Sequence, residues 1–214
     1  MKILCVSDQI DPLVYSSSIK IRYGDVDMVL CAGDLPLDYL DFIVSSLNRP
    51  LLFVYGNHNF EGYERYLKHP GSSGLTHIGS RVKAECGLIV AGLGGSMWYN
   101  GGKNQYSEAM MFLEIVKLVP SLILNRIFRG RWLDILLTHA SPRGIHDRED
   151  PCHRGFKCFL WFMKTFRPRY LVHGHIHLYD LASARSTACG KTLVINAYSQ
   201  YLLTTEENAH DGNN

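Results

Sequence analysis

The polar residues with chemistry to offer stand directly behind apolar, strand-like runs. Ser7-Asp8 closes the run 2–7, Gly33-Asp34 follows the run 27–32, and Gly56-Asn57-His58 follows the run 51–55. Thr138-His139 follows 132–137, and His173-Gly174-His175-Ile176-His177 follows 169–172. Open α/β sheets bind ligands beyond the carboxyl ends of their strands. Five strand ends therefore deliver Asp8, Asp34, Asn57, His139 and the pair His175 and His177 to what can be one place.

Each of these residues has a plainer use when taken alone. An Asp behind a strand caps a helix or makes a turn, Gly-Asn is a turn dipeptide, and a lone His is usually a hydrogen-bonded loop residue. Gly174-His175-Ile176-His177 is harder to set aside, because a tight turn at Gly174 lets two His at i and i+2 face one ion. Carboxylates, imidazoles and an amide oxygen together suit a borderline divalent ion, Mn²⁺ first and Fe²⁺ or Zn²⁺ next, better than an all-oxygen Mg²⁺ cage. One Asp can bridge two such ions about 3.5–4 Å apart, a pair that activates water and steadies the oxygens of a phosphoryl group.

The elements that must position these residues alternate at the start. Strands at 2–7, 27–32 and 51–55 are separated by helical stretches at 15–23 and 36–47, which predicts a parallel sheet with right-handed crossovers. Runs 75–78, 81–85 and 88–91, joined by tight turns, predict antiparallel pairing. A helix is expected over 107–119 with Ser107 as its N-cap, and Pro120 is expected to start a second, abutting helix to about 128. A strand at 132–137, a helix at 155–166, a strand at 169–172 and further strands within 178–203 complete the chain. The expectation is one domain over 1–204 and a polar tail over 205–214.

In that order the blocks Asp8, Gly33-Asp34, Gly56-Asn57-His58, His139 and Gly174-His175-Ile176-His177 resemble the calcineurin-like metallophosphoesterases. The resemblance covers most of the chain and implies an α/β fold, a four-layer αββα sandwich of two mixed β-sheets flanked by helices. It implies one or two divalent metal ions per chain. Asp8 and His177 would hold the first ion, Asp34 would bridge, and Asn57, His139 and His175 would hold the second. His58 would stand beside the phosphoryl oxygen as general acid or electrostatic stabiliser. Two positions depart from the family pattern: Ile10 stands where the family has His, and Asn59 where it usually has Asp or Glu. Ile10 cannot coordinate, so Gln9, Asp11 or water would have to fill that place. A neutral Asn59 would leave His58 a weaker acid.

Composition narrows the function classes. With 46% hydrophobic and 20% charged residues the chain is an ordinary globular one. A net charge of +2 gives no sign of a nucleic-acid groove. A small phosphorylated substrate is the expected partner; a scaffold for protein partners and a nuclease are the alternatives, and the oligomeric state stays open. No leader segment and no apolar run of membrane-spanning length is apparent. The six cysteines form no Cys-x-x-Cys pair, so reduced structural thiols and a cytoplasmic location are expected.

Three further features are ambiguous in the sequence. His146, Asp147 and His153 either line the substrate mouth or belong to a solvated loop. The Gly-rich loop 92–106, with Ser96, Trp98, Tyr99 and Asn100, lines the substrate or is structural. The apolar series from Met110 to Phe128, followed by Arg129 and Arg131, reads as core packing of an outer helix; a lid over a greasy substrate and a membrane-surface helix are the alternatives.

Overall fold

The computed structural model describes residues 1–58, 74–178 and 184–205. Asn59, His69 and Tyr179 lie outside them, as does the expected tail beyond Thr205. Strand β1 (Lys2–Ser7) is apolar from Ile3 to Val6 and β2 (Met28–Cys31) throughout, as parallel strands buried on both faces require. With β3 (Leu51–Phe53), β4 (Leu75–His77) and β13 (Ser199–Thr204) they form a five-stranded sheet in the order β13-β1-β2-β3-β4. The second large sheet has six strands: β5 (Arg81–Glu85), β6 (Leu88–Leu93), β9 (Ile135–Thr138), β10 (Tyr170–His173), β11 (Ser186–Cys189) and β12 (Thr192–Asn196). Their order is β11-β12-β10-β9-β6-β5. A small ribbon of β7 (Ser96–Met97) and β8 (Gln105–Tyr106) stands apart.

The two sheets bury a shared core that includes Ile3, Cys5, Leu30 and Leu52 from one side and Val90, Leu137, Val172 and Ile195 from the other. Helices α1 (Ile19–Tyr23) and α2 (Leu37–Leu47) cover the outside of the first sheet through Ile19, Tyr39, Leu40 and Ile43. Helices α3 (Glu108–Arg129) and α4 (Lys157–Phe166) cover the second through Met111, Ile115, Phe159 and Phe162. This is the expected four-layer αββα sandwich of two mixed sheets.

Three elements differ from the sequence reading. Strand β4 runs parallel to β3, with Leu51 beside Leu75, rather than in an antiparallel meander; the 21 residues between them are ample for a crossover. Helix α1 begins only at Ile19. Asp11 takes the N–H groups of Leu13 and Val14, and the hydroxyls of Ser16 and Ser18 bond to each other, so the preceding segment is spent on turns. Helix α3 runs unbroken through Pro120. The lost hydrogen bond costs about 3 kcal/mol, offset by burial of Met111, Ile115, Leu118 and Leu122 on both sides of it. Ser107 caps α3 as expected, accepting from Met110 N at 3.2 Å.

The chain closes on itself. After β12 it changes sheets, and β13 pairs antiparallel with β1 over six residue pairs, from Lys2 opposite Thr204 to Ser7 opposite Ser199. Thr205 N donates to Met1 O at 2.8 Å. All six cysteines are free. Cys5 and Cys31 are buried in the core, which pushes both thiols up to about 12.

Candidate metal centre

Asp8, Asp34, Asn57, His139 and His175 all follow the carboxyl ends of parallel strands, β1, β2, β3, β9 and β10 respectively. The backbone there is strained in a repeated way. Asp8, Asp34 and His175 have φ of +63°, +54° and +64°, a region non-glycine residues rarely enter and one that clusters at functional sites. Hydrogen bonds hold these turns. Asp8 N donates to Gly33 O at 3.2 Å, His175 N to Asp8 Oδ2 at 2.8 Å, and His58 N to Asp34 Oδ1 at 2.9 Å. Glycines let the carboxylates come close: a Cβ on Gly56 would stand 2.0 Å from Asp34 Oδ1, and one on Gly174 2.5 Å from Asp8 Oδ2.

One ligand atom from each of Asp8, Asp34, His139 and His175 lies within 4.8 Å of the other three. His139 is fully buried. Its Nδ1 lies 2.7 Å from Ala32 O, and a carbonyl can only accept, so Nδ1 carries the proton. Nε2 is thereby left toward Asp34 Oδ2 at 3.2 Å and Asn57 Oδ1 at 3.0 Å. His175 is tied in the same manner, its Nε2 donating to Cys152 O at 2.8 Å, which frees Nδ1. Imidazoles that ligate metals are oriented in this way, one nitrogen on a backbone carbonyl and the other on the ion. Two carboxylates, two pre-oriented imidazoles and an amide oxygen thus fit a divalent cation by their donor chemistry.

The charges are strongly coupled. Burial raises the Asp8 pKa above the usual carboxylate range, against the pull of His139. For Asp34 burial acts in the same direction, but the His139 imidazole and the His58 N–H win and bring it down to about 2. Burial disfavours charge on His139, yet Asp34 and Asp8 carry its pKa up to about 9. His175 goes down to about 3, through burial and the neighbouring His139. A neutral His175 beside an ionised Asp34 is the protonation state that metal binding requires, and His139 would give up its Nε2 proton to an ion.

An open cavity of about 340 Å³ lies over this cluster, lined by Asp8, Asp34, His58, Cys152, His153, His175 and His177. The expected acid His58 and the expected ligand His177 therefore face the same space. His177 stands outside the four-residue cluster and packs on Tyr198, with ring centroids 4.8 Å apart. Ile10 does not line the cavity. Asp11 is consumed elsewhere, accepting from Leu13 N at 2.8 Å and from the Ser199 hydroxyl at 2.7 Å. Gln9 is exposed and outside the cavity lining.

The ambiguous loops resolve residue by residue. His146 turns inward, with Nδ1 2.9 Å from His173 Nε2 and Nε2 2.9 Å from Thr187 Oγ1. Asp147 braces its own loop through Arg143, Gly144 N and Gly155 N. Only His153 reaches the cavity, its Nδ1 held by Asp150 Oδ1 at 2.8 Å. In the Gly-rich loop Tyr99 touches the site, accepting from Asn57 Nδ2 at 3.1 Å. That bond fixes the amide so that its oxygen faces His139. Cys152 is the residue the sequence reading missed. It supplies the carbonyl that orients His175, and its thiol forms a second compact group with His153 and His175. A lone Cys in a loop carries no sequence signal for this.

Residues 1–179 match the family described as calcineurin-like phosphoesterase. The chain belongs to that family. Two solved structures share its fold. One crystal structure matches at 16% identity and TM-score 0.60, covering 92% of this chain and 90% of the other. That of TT1561 from Thermus thermophilus matches at 15% identity and TM-score 0.61, covering 92% and 88%. No curated protein matches the sequence. Membership in the calcineurin-like family makes this a metal-dependent hydrolase of the phosphoesterase class, and the blocks behind β1, β2, β3, β9 and β10 are the ones that carried the resemblance.

Proposed function

We propose that the protein hydrolyses a small phosphate mono- or diester in the cavity above Asp8, Asp34, His139 and His175. The convergence of these four donors, two of them imidazoles already tied to backbone carbonyls, is the observation that carries this reading. Asn57, His139 and His175 would hold one divalent ion, Mn²⁺ by preference, and Asp34 would be shared between it and a second position. Asp8 and His177 would serve that second position, which has one imidazole fewer than the family pattern because of Ile10. Such ions supply a lowered pKa for the attacking water and neutralise charge on the phosphoryl oxygens.

The chain's own groups do the rest. Asp34 holds its ionised form through His139 and the His58 N–H, so it is ready to ligate without losing a proton. Cys152 O and Ala32 O orient the two imidazoles, so that each would offer its other ring nitrogen to an ion. His58, at the cavity wall, protonates the leaving alkoxide. His153, held by Asp150, also lines the cavity and would donate to a phosphoryl oxygen. The cavity suits a small ester rather than a protein chain, and the free cysteines agree with a cytoplasmic setting.

Asp34→Asn and His175→Ala should each abolish hydrolysis of an aryl phosphate ester with Mn²⁺ present. Metal content by elemental mass spectrometry should fall with it. Full activity in both variants would end the proposal.

A further inference from the structure

We propose that the outer face of α3 docks the protein on an anionic lipid surface. Met111, Ile115, Leu118 and Leu122 account for the face of α3 that meets the core. A second stripe, Leu113, Val116, Pro120, Leu124 and Ile127, recurs at the same three- and four-residue spacing and lies on the opposite side of the helix. It faces outward, with Leu113 60%, Ile127 67% and Phe128 at the end of the helix 79% exposed. A helix with apolar stripes on two opposite sides belongs in an apolar setting on both of them. Core packing, the expectation from the sequence, therefore accounts for half of this helix only. A lid over the substrate does not account for the rest, because no α3 residue lines the metal cavity.

The charge around this face selects the occupant. The two acids of α3 are turned toward the protein: Glu108 accepts from the N–H groups of Lys157 and Cys158 at the start of α4, and Glu114 from Ser80 and Lys117. Lys117, paired with Glu114, stands at the edge of the stripe, and Arg126 and Arg129 close the helix in its last turn. Helix α4 beside it exposes Lys157, Lys164 and Trp161 and contains no acid. Trp161 packs on Phe112 with ring centroids 5.2 Å apart, an amphipathic ring at the edge of the apolar stripe. On the opposite outer layer α2 carries Asp38 and Asp41 and no base. A second copy meeting the same patch would set cations against cations around its rim. Anionic headgroups complement that rim, and acyl chains complement the stripe. No helix among the described residues is long and apolar enough to cross a membrane, so α3 would lie in the plane of the surface.

The test is co-sedimentation of the whole protein with phosphatidylcholine vesicles, with and without phosphatidylglycerol. The protein should pellet with the anionic vesicles and stay largely in the supernatant with neutral ones, at about fivefold in partitioning for each Lys or Arg at the surface. Leu113→Glu/Ile127→Glu, at exposed positions, should cut binding at least tenfold with unchanged circular dichroism and unchanged hydrolysis of a soluble aryl ester. Wild-type protein that remains in the supernatant with both vesicles overturns the proposal. So does a double variant that binds like wild type. A dimer in sedimentation velocity that the double variant dissolves, with no lipid binding, assigns the face to a second copy instead. None of these outcomes bears on the metal centre, whose failure would show in Asp34→Asn alone.

Discussion

Gly174→Ala is the sharpest perturbation of the centre that leaves every donor in place. Gly174 has no left-handed φ, so the added methyl acts by contact alone. Its Cβ would stand 2.5 Å from Asp8 Oδ2 and 2.7 Å from both Cβ and Oγ of Ser7. Ser7 is completely buried on β1 and cannot retreat, so the carboxylate must move. Contacts below 3.0 Å essentially never occur, which sets the displacement at 0.5 Å or more, from 3.0 less 2.5. The same oxygen accepts the His175 N–H at 2.8 Å, so the shift is passed to a second donor. A misplacement of about 1 Å at a reacting centre costs on the order of 10²-fold. A fall in kcat/KM of roughly 30- to 100-fold, or about 2–2.7 kcal/mol of transition-state stabilisation, is therefore expected. Overpacking should also cost about 1–3 kcal/mol of stability. Steady-state hydrolysis of an aryl phosphate ester under saturating Mn²⁺, with urea denaturation alongside, separates the two. Activity within threefold of wild type in a folded variant would refute the claim that Asp8 is held in place by the absence of a side chain at 174.

Four other outcomes follow from the geometry. Tyr99→Phe removes the hydroxyl that fixes the Asn57 amide and should weaken metal affinity about 10-fold, measured by competition with a chelating dye. Ile10→His should raise the number of ions bound per chain at excess Mn²⁺ by elemental analysis; no change would mean that another donor already serves there. Asp134→Ala strips partners from the Ile89 N–H at 2.8 Å and from the Arg131 guanidinium at 3.1 Å, and should cost about 2–4 kcal/mol in urea denaturation. Burial of His77 beside Phe53 and Tyr55, with Arg81 near, holds its pKa down at about 4. The unfolded chain takes up that proton near 6.5, so the stability this His contributes is whole above pH 6.5 and is lost as pH falls toward 4. His77→Gln should flatten that part of the stability–pH curve by about 1–2 kcal/mol, a figure reduced for the ring edge open to water.

The centre was legible because its residues interrupt a strong pattern. Asp8, Asp34, Asn57, His139 and His175 each end an apolar run, and a parallel sheet brings such ends together whatever the details of its helices. Partners that act through the backbone were not legible. Cys152 contributes a carbonyl, which any residue has, and Tyr99 works from a loop whose path depends on the β7–β8 ribbon. Strand β4 shows the limit for topology: short runs and tight turns look alike whether a strand pairs with the one before it or the one after. The outward stripe of α3 was visible as composition, but periodicity alone could not say which half would meet the core. Ile10 was legible as a side chain that cannot coordinate, and the use of Asp11 in a turn required coordinates.

The pairing of β13 with β1 gives the centre a birth order. Asp8 hangs from a strand whose outer neighbour is made about 200 residues later, among the longest sequence separations in the fold. Until β13 leaves the ribosome, β1 is an open edge that can recruit a strand from another molecule. A nascent or truncated chain can therefore assemble β2, β3 and the second sheet while the strand that carries Asp8 stays half-paired. Synthesis must run past Thr204 before that edge is closed.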